Sequence, residues 1–218
     1  VKITVEFEHG VEVTAPVGMS DQAVEQVLQQ KGRWVMEKLD AIASIEAPPS
    51  KKEFVSGEKF LYVGRQYTLV VSERAERRPL LVMRNSTFEV TVPPELKIWD
   101  RQNTIRELFR VWYKQRAEGK LTEQVHTYAD RLNLQPAEIK VMDMDRRWGS
   151  CTPRGAVHLN WRLIMAPIQI IDYLVVHELC HLSVPEHSPK FWDRVGSIIA
   201  DYEERREWLR VNGPTLTV

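Results

Sequence analysis

The stretch from Pro167 to Leu182 constrains this chain more than any other. Ile168, Ile171, Leu174, Val175, Val176, Leu179 and Leu182 make it apolar on nearly every side, which predicts a buried central helix opened by Pro167. Polar groups inside such a helix cost free energy unless something pairs with them or binds them. His177, Glu178 and His181 are therefore expected to be kept for chemistry. Each helical residue turns by ~100°, so His177 and His181 fall one above the other and can share one metal ion. Glu178 falls beside that face, placed as a base toward an attacking water and not as a ligand.

A catalytic zinc takes three protein ligands and keeps a fourth position open. His187 is the candidate for the third. It follows His181 by six residues, with Pro185 expected to end the helix and Ser188-Pro189 to cap and start the next. The sharp turn between them can swing His187 back, giving H-E-x-x-H-x-x-x-x-x-H. Zn2+ is the preferred ion, and Ni2+ or Mn2+ could occupy the same three imidazoles. Packed core histidines would account for each residue singly but not for the combined spacing.

Composition narrows the function classes. Lys plus Arg equals Asp plus Glu at 30 each, so there is no global field for nucleic acid, and an anionic partner would need a local patch. The most apolar window, Leu163 to Leu182, is interrupted by Pro167, Asp172, His177, Glu178 and His181, too many polar groups for a membrane span. The N-terminal VKITVEFEHGVEV has no apolar core of a signal peptide. Cys151 and Cys180 are the only cysteines. A disulfide at Cys180 would crowd the histidine motif, so two reduced thiols in a soluble, cytoplasmic protein are expected, with Cys180 a small core residue.

Along the rest of the chain, residues 2–14 alternate as a hairpin around His9-Gly10, and Ser20 caps a helix to about Asp40. Ala47-Pro48-Pro49-Ser50 is the best linker. Strands are expected at Phe54–Ser56, Lys59–Val63, Gln66–Ser72, Leu80–Arg84 and Thr87–Val92, as an antiparallel meander. From Arg101 to about Leu132 the period turns helical, as one helix or two. Its basic stripe, Arg106, Arg110 and Lys114, reads as a solvated face. Three short strands follow Pro136, and a single helix from Pro189 to about Val211 closes the chain. The whole is an α+β chain, divided as residues 1–95, a hairpin, helix and β-meander, and residues 96–218, the catalytic domain.

Three blocks resemble a known family. Arg147-Trp148-Gly149-Ser150-Cys151, His158-Leu159-Asn160-Trp161-Arg162-Leu163, and Val176 to Leu182 continuing into His187-Ser188-Pro189-Lys190-Phe191-Trp192 are similar to the YgjP-like metallopeptidase-type proteins, relatives of WLM and SprT-type domains. The resemblance implies a zincin-like core, a small antiparallel sheet beside the HExxH helix and its flanking helices, with metal on His177, His181 and His187 and Glu178 as catalytic carboxylate. It leaves the substrate open.

The first reading is therefore a metal-dependent hydrolase acting as a metallopeptidase on a peptide or protein substrate. Arg147 and Tyr173 are the candidates for holding the oxyanion, Tyr173 because it lies one helical turn before His177. Arg146 and Arg147 could equally form a phosphate fork, or pair with Asp143 and Asp145 while Trp148 packs in the core. His158 and Asn160 could orient a ligand imidazole. The alternative reading is a nucleoside triphosphate pyrophosphatase, for UTP for instance, in which Arg146, Arg147 or Arg154 neutralises phosphate; there is no Gly-rich phosphate loop to support it. A module binding nucleic acid or a protein partner through the basic stripe is the least favoured class.

Overall fold

The computed structural model describes residues 1–6, 10–43, 52–75 and 78–218. They form two compact units, Val1–Pro48 and Pro49–Val218. The expected linker at 47–50 lies outside the described residues.

In the first unit, β1 (Lys2–Glu6) and β2 (Gly10–Thr14) pair antiparallel with Lys2 opposite Thr14. The expected turn at His9 lies outside the described residues. The helix α1 (Asp21–Ala43) runs through Gly32 and past Asp40. Its start is capped as expected, the Ser20 hydroxyl accepting the Ala23 N–H at 3.3 Å.

The second unit opens with β3 (Lys59–Tyr62), β4 (Arg65–Glu73), β5 (Leu80–Arg84) and β6 (Thr87–Val92). Phe54–Ser56 is not a strand. The sheet is not an antiparallel meander: its order is β3-β4-β6-β5, and β4 pairs parallel with β6. Alternation of apolar residues marks which face of a strand is buried but is silent on the direction of its neighbour.

A single helix, α2 (Ile98–Leu132), buries Ile105, Phe109, Trp112, Tyr113, Ala117, Leu121, Val125 and Ala129 along one stripe. It ends where Asn133 turns left-handed (φ 51°). Phe60 stacks on Phe109 with ring centroids 4.1 Å apart, and Phe88 meets Phe109 and Trp112 edge-on. These β-strands and α2 thus share one core, so the expected boundary near residue 95 falls inside the second unit. The basic stripe is occupied within the molecule: Arg110 pairs with Glu107 and Asp143, Lys114 with Asp143, and Arg106 lies over Phe54.

A three-stranded sheet follows, built of β7 (Glu138–Met142), β8 (Gly149–Cys151) and β9 (Ala156–Asn160) in the order β7-β9-β8. Here too the pairing corrects the expectation of an antiparallel sheet, because β7 runs parallel to β9 while β8 is antiparallel to it. A 3-10 helix (Trp161–Met165) leads to α3 (Ile168–Cys180), buried as its composition requires. Leu182, Ser183 and Val184 donate to carbonyls of Leu179 and Cys180, so the helix has already ended before Pro185. The expected last helix is two, α4 (Pro189–Ile198) and α5 (Tyr202–Asn212), broken at 199–201. Pro189 occupies the first turn of α4 as expected, but the Ser188 side chain makes no cap bond. Among the described residues no helix is long and apolar enough to cross a membrane.

Candidate metal centre

His177 sits in the last turn of α3, His181 caps its end, and His187 lies on the loop before α4. The loop returns His187 so that its Nε2 lies 3.0 Å from His177 Nε2 and 3.1 Å from His181 Nε2. Three ligand nitrogens at tetrahedral angles around a zinc ion would be about 3.3–3.4 Å apart, so the donor set fits such an ion nearly as it stands. Among the described residues this is the one group of three or more His, Cys, Asp or Glu side chains close enough to hold a metal. His181 Nδ1 lies 3.2 Å from the Val184 carbonyl. A carbonyl only accepts, so Nδ1 carries the proton and Nε2 keeps its lone pair for a ligand.

The protonation states suit the same purpose. Burial, then the neighbouring His181, His187 and Arg206, press the His177 imidazole down to about 3, and burial with His181 and Arg206 lowers His187. Neutral imidazole is the form that ligates.

Glu178, 4% exposed, projects from α3 into a cavity of about 640 Å³ that the three histidines also line. Its other wall is Arg147, the edge strand β8 and the turn after it. Burial pushes the Glu178 carboxyl up to about 8, against the pull of the Arg147 guanidinium. The carboxyl group lies against the backbone of Gly149: a Cβ added there would be 2.6 Å from Oε1 and 2.8 Å from Cγ. Sequence reasoning did not single out that glycine, although it stands inside the Arg-Trp-Gly-Ser-Cys block.

Of the two oxyanion candidates, only Arg147 lines the cavity. Asp143 does not engage it but pairs with Arg110, Lys114 and Arg162. Tyr173 meets the His177 ring edge-on at 5.9 Å, as its spacing implied, but is buried in a cluster with Val176, Cys180, Phe191, Val195 and Ile199. It does not line the cavity. Arg154 does not line it either.

Asn160 holds the loop that carries Arg147 rather than a ligand ring. Its amide donates to the carbonyls of Met144 (2.7 Å) and Arg147 (3.0 Å), and its oxygen accepts from the Arg162 N–H (3.1 Å). Trp148 is half-buried on Gly213, where a Cβ would be 2.9 Å from the indole. Both cysteines are free, Cys180 fully buried and Cys151 on the cavity wall.

The family described as YgjP-like, metallopeptidase domain, matches residues 1–212. No curated protein matches the chain. Among solved structures, the metallopeptidase zymogen abylysin of Pyrococcus abyssi is similar at 19% identity over 39% of this chain and 87% of that one, with a TM-score of 0.36. The zymogen jannalysin of Methanocaldococcus jannaschii is similar at 19% identity over 42% and 92%, with a TM-score of 0.37.

Proposed function

This chain belongs to the YgjP-like metallopeptidase-domain family, and from that membership we propose that it hydrolyses a peptide or protein substrate at a divalent ion, by preference Zn2+, held by His177, His181 and His187. The observation that carries the reading is the convergence of three imidazole nitrogens on a cavity whose wall also bears a buried carboxyl, Glu178. When bound, the ion supplies Lewis acidity toward a carbonyl and lowers the proton affinity of water.

The protein's own groups do the rest. Glu178 takes the proton of the attacking water and delivers it to the leaving amine. Burial raises the proton affinity of this carboxyl, which favours its holding the proton until the amine leaves, while the ionised form that accepts the proton first is favoured beside a divalent cation. Arg147, the cation on the cavity wall, donates to the oxygen that gains charge. Tyr173, which lies behind His177, packs that ring in place. Asn160 fixes the main chain from which Arg147 projects. Of the three arginines that could neutralise phosphate, Arg147 alone lines the cavity, so a nucleoside triphosphate substrate has less support than a peptide.

The test compares wild type with Glu178→Gln on a denatured protein and on a panel of nucleoside triphosphates, both loaded with Zn2+. Peptide hydrolysis is expected to fall by about 10²–10⁴-fold in the variant, with the ion still bound. Phosphate or pyrophosphate release that depends on Glu178, without peptide cleavage, would replace the proposed substrate.

A further inference from the structure

The three imidazoles are not held alike. His177 stands on α3, and His181 caps it with Nδ1 donating to Val184. His187 is exposed on a loop. Among the described residues, no main-chain group and no side chain outside the triad hydrogen-bonds to its ring.

What touches that ring is aromatic. The Phe191 ring meets it edge-on at 4.8 Å, and the Trp192 indole, which also lies tilted 5.7 Å from the His177 ring, stacks on His187 with centroids 5.5 Å and planes 19° apart. Tyr202 stacks on Trp192 in turn, at 5.4 Å and 15°, and the Arg206 guanidinium lies 5.0 Å from the indole centroid. The stack runs from the loop through α4 to α5, and the break between those helices is what returns Tyr202 to α4. Gly196 leaves the room for it: a Cβ there would be 3.3 Å from the Tyr202 ring.

We propose that Trp192 is a positioning residue for the third metal ligand, its indole, backed by Tyr202 and Arg206, holding the His187 imidazole in ligating orientation where no hydrogen bond does. An exposed imidazole on a loop has several rotamers to lose on binding, and a face-on partner removes that freedom while leaving the ring edge, and so Nε2, open to an ion. The inference rests on reading the triad as a metal site.

The experiment is Zn2+ affinity by competition with a chromophoric chelator, for wild type, Trp192→Ala, Trp192→Phe, His187→Ala and the double variant Trp192→Ala/His187→Ala. Loss of a residue that orients a ligand costs about 10–100-fold in metal affinity. That loss is expected for Trp192→Ala, with most of the affinity restored in Trp192→Phe. In the His187→Ala background, Trp192→Ala is expected to cost several-fold less than in wild type, because the ring it stacks on is gone and only its tilted contact with His177 is left. An equal loss in both backgrounds would make Trp192 a general packing residue and overturn the proposal, as would unchanged affinity in Trp192→Ala. Should Trp192→Ala not fold, Trp192→Leu, which keeps apolar bulk without a stacking plane, takes its place in the cycle under the same criteria. Failure of the metal reading is separate: wild type and His187→Ala would then bind Zn2+ equally.

Discussion

Gly149 and Glu178 form a pair whose logic is steric. The carboxyl occupies the space of the missing Cβ, which brings it close to the edge-strand backbone and holds it on the cavity wall. Gly149→Ala must displace Glu178, and a misplacement of about 1 Å in a reacting group costs about 10²-fold in rate. Peptide hydrolysis by Gly149→Ala is expected to fall by that order while Zn2+ affinity stays close to wild type, since no ligand moves. A matched loss of affinity would instead place the damage in the triad. Glu178 also predicts how the metal-free protein responds to pH. Its folded-state proton affinity is raised from 4.5 to about 8, chiefly by burial. The folded form therefore binds the proton more tightly than the unfolded chain, and the stability this confers is lost as pH rises through about 8. His177, lowered from 6.5 to about 3, acts in the opposite sense and only between those values. Between pH 6.5 and 8 the thermal midpoint of chelator-treated wild type is expected to decline, and Glu178→Gln to flatten that decline. An unchanged slope in the variant would assign the titration to another group.

At the β3–β4 hairpin the turn is Val63-Gly64, with φ of 48° and 74°. Both central residues of such a two-residue turn need positive φ, for which Asn-Gly is the common choice, and a β-branched valine is strained there. The compensation is tertiary. Val63 and Gly64 donate their N–H groups to the carbonyls of Ile164 (2.8 Å) and Met165 (3.1 Å), at the end of the 3-10 helix that precedes Pro167. A Cβ on Gly64 would lie 2.8 Å from Pro167 Cα. The hairpin thus settles where α3 begins, and α3 presents His177 and Glu178. Gly64→Ala meets both a positive φ and a backbone clash, so a loss of about 1–3 kcal/mol is expected in denaturant unfolding. A loss within a few tenths of wild type would show that the hairpin can lift off α3 freely. The α4–α5 break belongs to the same scale. The sequence from Pro189 to Val211 contains no internal proline, and its apolar residues keep a helical period, so the break was not legible in it. Ile199, at the break, is buried beside Phe191 and Val195 as an unbroken helix would also have placed it, and Tyr202 beyond the break returns to stack on Trp192.

All three proposed ligands fall within His177–His187, inside the unit Pro49–Val218, whose core joins the four-stranded sheet, α2 and α3. An ion that binds only the folded unit stabilises it by mass action, about 2.7 kcal/mol at a hundredfold excess over Kd. In calorimetry Zn2+ is expected to raise the transition of wild type, a chelator to reverse it, and His187→Ala to remove most of the gain. A gain that survives in His187→Ala would move the ion elsewhere. The sequence by itself determined what depends on neighbours in the chain. The helical period put His177 and His181 on one face, and Pro167 and Pro189 marked helix starts because their φ is already helical. The apolar stripes placed α2 and α3, and the Arg-Trp-Gly block pointed to the wall that carries Arg147. Tertiary structure decided what depends on residues distant in the chain: the parallel pairs β4–β6 and β7–β9, the burial of Tyr173 behind His177, the approach of Gly149 to Glu178 and the stack on His187. Periodicity records which side of an element avoids water, whereas strand direction, close approach and ring stacking depend on what the fold sets against that side.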